Sequence, residues 1–306
     1  MCKWRAGALQ VPARSVSRVP SDEETTMTMT LPAIDTDAAV EAQTACAPHP
    51  VGDGITVLPA YLPVPGYGVL PANAFLVDGP EPLLVDAGPG GAVDGFRAGL
   101  ARVTDPTRLR WLWLTHTDPD HIGSLQWLLD VAPDLKVVTT FLAVGKLSMI
   151  EPVPLDRVLW VNPGTSVELN GRVLHALRPP TFDAPETTAV YDEASGTLFS
   201  ADTFGALLDR PVAEASAVEH SALTDGMRLW STIDSPWVTH TDGADFRRRL
   251  DDLRRLGATR VLGAHLPPVA GPVDPLLDVL DPLPGAPSWV GPDQAALDAM
   301  LAATTA

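Results

Sequence analysis

Short apolar runs separated by turn residues fill the first half of the chain. Residues 74–77 and 82–85 are apolar and flank Asp78-Gly79-Pro80, a pattern that predicts two strands joined by a turn. Residues 54–58 form another predicted strand. Residues 110–115 are almost entirely apolar, which is typical of a strand buried on both faces.

Helical apolar spacing appears between these runs. Residues 92–103 predict a helix after a glycine-rich turn at residues 86–91. Residues 121–131 predict a second helix that ends before Pro133, and residues 136–140 predict the next strand. Strands are therefore followed by an alternation of helix and strand.

The second half of the chain shows the same order. Asn170-Gly171 and Ser195-Gly196 each lie between two apolar runs and predict hairpins. Residues 244–256 predict a helix, and residues 260–263 predict a strand that leads to His265. This order, found twice, predicts an α/β fold in which two mixed β-sheets pack face to face with helices outside.

Composition divides the chain into three regions. Residues 1–48 are rich in Ala, Thr, Pro and Ser, and we expect them to form a disordered extension. Residues 49–270 contain the predicted strands and most of the helices, and we expect one domain there. Residues 271–306 are Pro-rich and include a short Ala-rich helix near residues 293–302.

Charge and cysteine content narrow the function classes. The 306 residues include 21 Lys and Arg against 38 Asp and Glu, a net charge of −17, so nucleic acid and anionic membranes are not expected partners. The only cysteines, Cys2 and Cys46, exclude a disulfide scaffold and a thiolate zinc cluster. No apolar run is long enough for a membrane helix or a secretory signal, and we expect a cytoplasmic protein.

The candidate chemistry is concentrated after the buried strand. Four potential ligands occupy six residues of the segment His116-Thr-Asp118-Pro-Asp120-His121. Imidazole and carboxylate groups bind transition metals, and a loop after a buried strand brings such groups to a sheet edge. One of the two carboxylates alone could cap the following helix, but capping does not account for four ligands.

The segment His-x-Asp-x-Asp-His resembles the His-x-His-x-Asp-His loop of the metallo-β-lactamase superfamily. The acidic second position resembles the oxygen-binding di-iron, or flavodiiron, branch, which has His-x-Glu-x-Asp-His. Residues 182–188, 198–205 and 263–268 resemble the later ligand-bearing segments of the family, and the resemblance runs from about residue 54 to residue 270. It implies an αββα sandwich that holds two metal ions.

The resemblance also implies a ligand set for each metal. The first metal would be bound by four side chains: His116, Asp118, Asp183 and Asp202. The second metal would also be bound by four side chains: Asp120, His121, Asp202 and His265. Asp202 is common to both sets. Asp202 would bridge the metals, since two cations about 3.5–4 Å apart need a bridging anion.

Two positions depart from the family pattern. Position 118 is Asp where the di-iron branch has Glu, and position 183 is Asp where family members usually have His. Asp183 could instead form an Asx turn before Pro185. The carboxylates at these positions favour iron, with manganese or zinc as alternatives.

The remaining histidines are predicted to lie outside the site. We interpret His175 as a strand residue, His220 and His240 as surface residues, and His49 as part of the tail or its neighbour.

These features lead to two enzyme hypotheses and one binding hypothesis. The first is a non-haem di-iron oxidoreductase or sensor that reacts with oxygen or nitric oxide. The second is a metallo-hydrolase in which a metal-bridging hydroxide attacks an ester, thioester or phosphoester. Hydrolytic members of the family generally keep His at position 118. The third is a non-catalytic module with a weakened site.

Electrons for the first hypothesis would come from a separate protein. Flavodiiron proteins carry a C-terminal flavodoxin-like domain, whereas 41 residues follow His265 here, and no glycine-rich dinucleotide fingerprint is present. We therefore expect a separate redox donor, and a homodimer is left open.

Overall fold

A computed structural model of the chain describes residues 43–150 and 152–304. The strands of these residues are, in chain order, β1 (Thr44–Ala45), β2 (His49–Gly52), β3 (Ile55–Leu58), β4 (Ala60–Val64), β5 (Gly68–Pro71), β6 (Ala74–Val77), β7 (Leu83–Val85), β8 (Trp111–Trp113), β9 (Lys136–Thr139), β10 (Val158–Trp160), β11 (Ser166–Leu169), β12 (Arg172–Leu177), β13 (Ala189–Asp192), β14 (Thr197–Phe199), β15 (Arg260–Leu262) and β16 (Val269–Ala270). The α-helices are α1 (Val93–Val103), α2 (Leu125–Val131), α3 (Phe141–Ile150), α4 (His220–Asp234), α5 (Gly243–Arg254), α6 (Asp274–Leu280) and α7 (Gln294–Thr304).

Two mixed sheets form the centre of the fold, as predicted. The first has seven strands in the order β10-β9-β8-β7-β6-β3-β2, and the second has six in the order β11-β12-β13-β14-β15-β16. Parallel pairs join β7 to β8, β8 to β9 and β9 to β10 in the first sheet, and β14 to β15 in the second. A small third sheet has the order β1-β4-β5.

Three apolar clusters hold the layers together. One lies between the two sheets and includes Phe75 and Trp113 from the first and Phe199 from the second. Another packs α1, α2 and α3 on the outer face of the first sheet, and a third packs α4, α5 and α6 on the outer face of the second. The fold is therefore a helix–sheet–sheet–helix sandwich.

Strand β8 is apolar because both of its faces are buried. Leu112 belongs to the cluster under the helices, whereas Trp113 belongs to the cluster between the sheets. Successive side chains of a strand point to opposite faces, so a central strand of this sandwich must be apolar at every position. Both side chains are 0% exposed.

Several predicted boundaries need correction. The helix predicted over residues 121–131 begins only at Leu125. The amides of Gly123 and Ser124 donate to the carbonyls of Gly88 and Ala87 rather than to a helical turn, so the segment from His121 is held in turns.

The predicted extension over residues 1–48 lies mostly outside the described residues, but its last part does not. Strand β1 lies within it and pairs with β4, and His49, which was predicted to lie in or next to the tail, is the first residue of β2. In the C-terminal region, α6 packs into the cluster outside the second sheet, so the domain continues past residue 270.

Within residues 43–150 and 152–304, no helix combines the length and the apolar character needed to cross a bilayer.

Phe199→Ala should test the packing between the sheets. Phe199 is 1% exposed, and its ring lies edge-on to Phe75 with centroids 5.6 Å apart. Removing a buried Phe side chain is expected to lower the free energy of unfolding by about 3–5 kcal/mol. Urea unfolding at fixed metal content measures the change.

Val173→Ala is the matched control, because Val173 lies on β12 of the same sheet and is 41% exposed. Its change should stay within about 0.5 kcal/mol. Equal losses in the two variants would contradict the layered core.

Candidate metal centre

Four candidate ligands follow strand β8 at one edge of the first sheet. The loop between β8 and α2 carries His116, Asp118, Asp120 and His121. The two imidazoles are each 1% exposed, whereas both carboxylates are partly exposed. The strand end thus delivers buried nitrogen donors and more accessible oxygen donors to the same place.

Three further candidates come from the second sheet. Asp183 lies in the connection between β12 and β13, Asp202 follows β14, and His265 follows β15. The turn after β14 is tight, because Ala201 and Phe204 have φ values of 52° and 71°. L-residues rarely adopt this conformation, so the surrounding structure must hold the turn around Asp202.

Asp202 lies among three imidazoles. Its Oδ2 is 3.1 Å from Nε2 of His116, and its Oδ1 is 3.3 Å from Nε2 of both His121 and His265. The Asp202 side chain is buried. The loops of both sheets therefore converge on one carboxylate.

Each imidazole is held on its other side by an oxygen atom of the protein. Nδ1 of His121 is 3.0 Å from Oδ2 of Asp86, and Nδ1 of His265 is 2.6 Å from the carbonyl oxygen of Pro71. Nδ1 of His116 is 3.2 Å from Oγ1 of Thr115, whose hydroxyl donates to Asp86. Protonation at Nδ1 leaves each Nε2 free as a ligand atom, which is the usual arrangement around metal-binding histidines.

Two buried atoms at the centre lack hydrogen-bond partners. Nε2 of His121 and Oδ1 of Asp202 are both inaccessible to solvent and form no hydrogen bond, although they lie 3.3 Å apart. Such a buried polar atom costs about 1–3 kcal/mol unless something satisfies it. A transition-metal cation would satisfy both, since it binds imidazole nitrogen and carboxylate oxygen. The donor set therefore fits a metal.

The candidate ligands form two groups that share Asp202 as a neighbour. The ligand atoms of His116, Asp118 and Asp183 lie within 4.8 Å of one another, and so do those of Asp120, His121 and His265. This grouping matches the division between two metals that the family resemblance implies. The role of each residue as a ligand stays a prediction.

Ionisation at the centre follows from this crowding. Burial lowers the pKa of His116, but the charge and hydrogen bond of Asp202 together with the charge of Asp183 raise it to about 9. Burial would raise the pKa of Asp202, yet His116, His121 and His265 hold it well below its usual range. In the metal-free chain, the imidazole of His116 and the carboxylate of Asp202 thus stabilise each other as charged groups.

Two other carboxyl groups resist ionisation. Burial and then the nearby charges of Asp202 and Asp118 raise the pKa of Asp183 to about 6, although His116 opposes this. Burial, followed by the charges of Asp202 and Asp183, raises the pKa of Asp234 to about 8. Negative charge is therefore in excess on this side of the centre.

Asp118 lies between the centre and a cation. Its Oδ1 is 3.9 Å from Nζ of Lys146 on α3, and the same ammonium group pairs with the buried Glu186. Glu186 also accepts a hydrogen bond of 2.9 Å from Oγ1 of Thr117. Because Thr117 lies between His116 and Asp118, its hydrogen bond to Glu186 positions this part of the loop.

Several residues at the centre were not predicted from the sequence. Asp86, with φ of 61°, orients His121, and the side-chain amide of Asn73 donates to the carbonyls of Gly263 and Leu266 on either side of His265. Asp234 is the last residue of α4, for which no function was predicted from the sequence. The glycine-rich turn at residues 86–91 could have indicated a special role for Asp86. No sequence pattern around Asn73 or Asp234 indicates that they lie at the centre.

The histidines predicted to lie elsewhere do so. His175 lies on β12 and contacts Ser166 and Glu193, and His220 and His240 are exposed. None of these three belongs to the ligand groups found among the described residues.

Comparison with known proteins places the chain in a family. A family model described as ODP family beta lactamase matches residues 70–233, more than half of the chain. The chain belongs to this family. Of the candidate ligands, the ODP match includes all but His265, which lies beyond its end.

Similar proteins of known sequence are flavodiiron proteins and a nitric oxide reductase. The flavo-diiron protein FprA2 of Clostridium acetobutylicum is 28% identical over 134 residues, covering 44% of this chain and 34% of that protein. The nitric oxide reductase of Moorella thermoacetica is 27% identical over 186 residues, covering 60% of this chain and 45% of that protein. The chain spans less than half the length of these curated relatives.

Solved structures share the fold. The rubredoxin oxygen:oxidoreductase from Desulfovibrio gigas superposes with a TM-score of 0.66 at 18% sequence identity, covering 76% of this chain and 60% of that chain. This likeness agrees with the sandwich of two mixed sheets described above.

The stability of the metal-free protein should depend on pH. Burial raises the pKa of Asp234 to about 8 in the folded chain, from 3.8 for an ordinary Asp. His116 likewise keeps its proton to about pH 9 rather than 6.5. The folded state therefore binds more protons than the unfolded state, and the free energy of unfolding should fall as the pH rises from about 6.5 to about 8.

Asp234→Asn should make this decrease shallower, since each fully released proton contributes a slope of about 1.4 kcal/mol per pH unit. Urea unfolding of chelator-treated protein at several pH values measures it. Asp225→Asn, at an exposed position of the same helix, should leave the slope unchanged. If Asp234→Asn left the slope of unfolding free energy against pH unchanged, the raised pKa of Asp234 would not be its cause.

Proposed function

We propose that this chain is a di-iron protein that reduces oxygen or nitric oxide with electrons from a separate donor. The observation that carries the proposal is the buried Asp202 carboxylate among three Nε2 atoms, where Oδ1 of Asp202 and Nε2 of His121 lack hydrogen-bond partners. Such an arrangement is costly in a metal-free protein and favourable around cations.

Two ions would be held by the ligand groups described above. His116, Asp118 and Asp183 would bind the first, Asp120, His121 and His265 would bind the second, and Asp202 would bridge them. The first group contains one imidazole and is otherwise made of carboxylates. Carboxylates are hard ligands, so this site favours iron or manganese over zinc relative to a site of three imidazoles.

The names of the relatives support a redox reaction. The matched regions belong to a flavo-diiron protein and a nitric oxide reductase. When bound, a pair of ferrous ions supplies electrons to a diatomic substrate. The chain's own contribution is to orient the imidazoles through Asp86, Thr115 and Pro71 and to keep the nitrogen donors buried.

A separate donor is part of the proposal. No dinucleotide-binding fingerprint was recognised in the sequence. The similar structure from Desulfovibrio gigas is named a rubredoxin oxygen:oxidoreductase, which supports a small iron–sulfur protein as one class of donor. The cytoplasmic location and the homodimer stay predictions.

Metal analysis tests the dinuclear centre. Protein reconstituted anaerobically with ferrous iron should bind two ions per chain. Asp202→Asn should lose both ions, because the variant removes the proposed bridge. Elemental analysis after gel filtration measures the content.

His220→Ala is the control, since His220 is exposed and outside the ligand groups. It should keep both ions. A wild-type content of one ion or fewer would contradict the dinuclear proposal.

Activity assays separate the reductase from the hydrolase. The iron-loaded chain should consume little oxygen or nitric oxide with NADH alone, and consumption should rise when a flavin reductase and rubredoxin are added. No stoichiometric flavin should copurify. Hydrolysis of generic esters, thioesters or phosphoesters by the same preparation, without any reductase activity, would favour the metallo-hydrolase instead.

A further inference from the structure

Helix α4 brings an additional carboxylate to the candidate metal centre. Asp234 is the last residue of α4 and is partly buried. Its carboxylate lies in a group with those of Asp183 and Asp202, and one oxygen of each lies within 4.8 Å of the others. Neither the family resemblance nor the ODP family match, which ends at residue 233, includes Asp234.

The position of α4 against the centre is fixed by close packing. A Cβ atom at Gly226 would lie 2.2 Å from the carbonyl oxygen of Leu207, and one at Gly205 would lie 2.3 Å from the indole of Trp230. The Trp230 ring packs edge-on to His265, with centroids 5.1 Å apart. Asp234 follows one turn after Trp230, so the same face of the helix carries both residues to the centre.

Imidazoles compensate only part of this group of carboxylates. Nε2 of His116 lies 3.1 Å from Asp202 and 3.9 Å from Asp183, whereas Asp234 forms no ion pair among the described residues. Asp234 accepts one hydrogen bond, of 3.1 Å, from the hydroxyl of Ser235. Among the described residues, no Lys or Arg forms an ion pair with Asp183 or Asp234. Three carboxyl groups so close together in a partly buried site cannot all be ionised unless a cation lies among them.

A second observation ties this group to the candidate metal centre through its buried member, Asp202. Asp202 is 3% exposed, and its Oδ1 atom is buried without a hydrogen-bond partner. This Oδ1 atom faces Nε2 of His121 and His265, at 3.3 Å from each. Oδ2 of Asp202 and Oδ1 of Asp183 face Nε2 of His116, at 3.1 and 3.9 Å. The group of carboxylates that includes Asp234 therefore adjoins the imidazole of the first ligand group.

We propose that Asp234 is a ligand of the first metal, in addition to His116, Asp118, Asp183 and the bridging Asp202. The inference rests on the proposed dinuclear centre and extends it. The first site would then contain one imidazole and four carboxylates. Asp234 would supply an oxygen ligand from α4. This ligand would lie near Asp183, which occupies the position where family members usually have His.

Manganese binding tests this assignment without relying on activity. Wild-type protein is titrated with Mn²⁺ while the electron paramagnetic resonance signal of the aqueous ion reports free metal, and calorimetry gives the affinities. The wild-type chain should bind two ions. Asp234→Asn should bind one ion unchanged and the other at least about tenfold more weakly, since even residues that only orient ligands contribute 10–100-fold.

Asp225→Asn is the matched control, because Asp225 lies on the same helix, is exposed and pairs with Arg228 at 3.8 Å. It should bind both ions with wild-type affinity. Circular dichroism of all variants reports whether α4 is retained.

Asp234→His distinguishes ligation from a structural role. An imidazole at this position can replace the carboxylate as a ligand and suits zinc better, so the variant should bind two ions and show a higher zinc-to-manganese ratio in competition. If Asp234 only bonds to Ser235, this ratio should equal that of the wild type.

The outcomes separate the two proposals. Two ions bound with wild-type affinity in Asp234→Asn, and unchanged selectivity in Asp234→His, would overturn the role of Asp234 and leave the dinuclear centre standing. Fewer than two ions in the wild-type chain would instead overturn the dinuclear centre itself.

Discussion

A buried carboxylate that must be neutralised is the constraint on which the site depends. Asp202 is 3% exposed, and burying an ionised carboxylate without compensation costs far more than a single packing defect. The nitrogen atoms of three imidazoles surround it at 3.1–3.3 Å. Local backbone strain at Ala201 and Phe204 and the close approach of Trp230 to Gly205 are tolerated around this point.

The sandwich explains how the carboxylate of Asp202 can contact histidines from both halves of the chain. The loop after β8 belongs to the first sheet, and the turns after β14 and β15 belong to the second. The apolar cluster that contains Phe75, Trp113 and Phe199 brings these ends together. Packing of apolar side chains far from the site therefore sets the distances between its polar atoms.

Sequence patterns predicted the elements whose signals are local. The fully apolar β8, the Asn170-Gly171 hairpin and the helix predicted over residues 244–256 were recognisable because each depends on neighbouring residues. The predicted start of α2 at residue 121 was wrong because the amides of Gly123 and Ser124 donate to the carbonyls of residues 88 and 87. The spacing of apolar residues does not reveal these long-range hydrogen bonds. Asn73 and Asp234 reach the centre only through contacts distant in sequence, so no local pattern indicated them. The family's motifs supplied the seven candidates that the structure brings together.

The origin of the candidate ligands in both sheets has a consequence for the lifetime of the protein in a cell. Cations held there would bind only while the two sheets remain together, so occupancy would add to the free energy of unfolding by mass action. A chain made under metal limitation would open more often and be degraded sooner by proteases that attack open states. The abundance of this protein would then follow the supply of its metal, even without regulation of its synthesis.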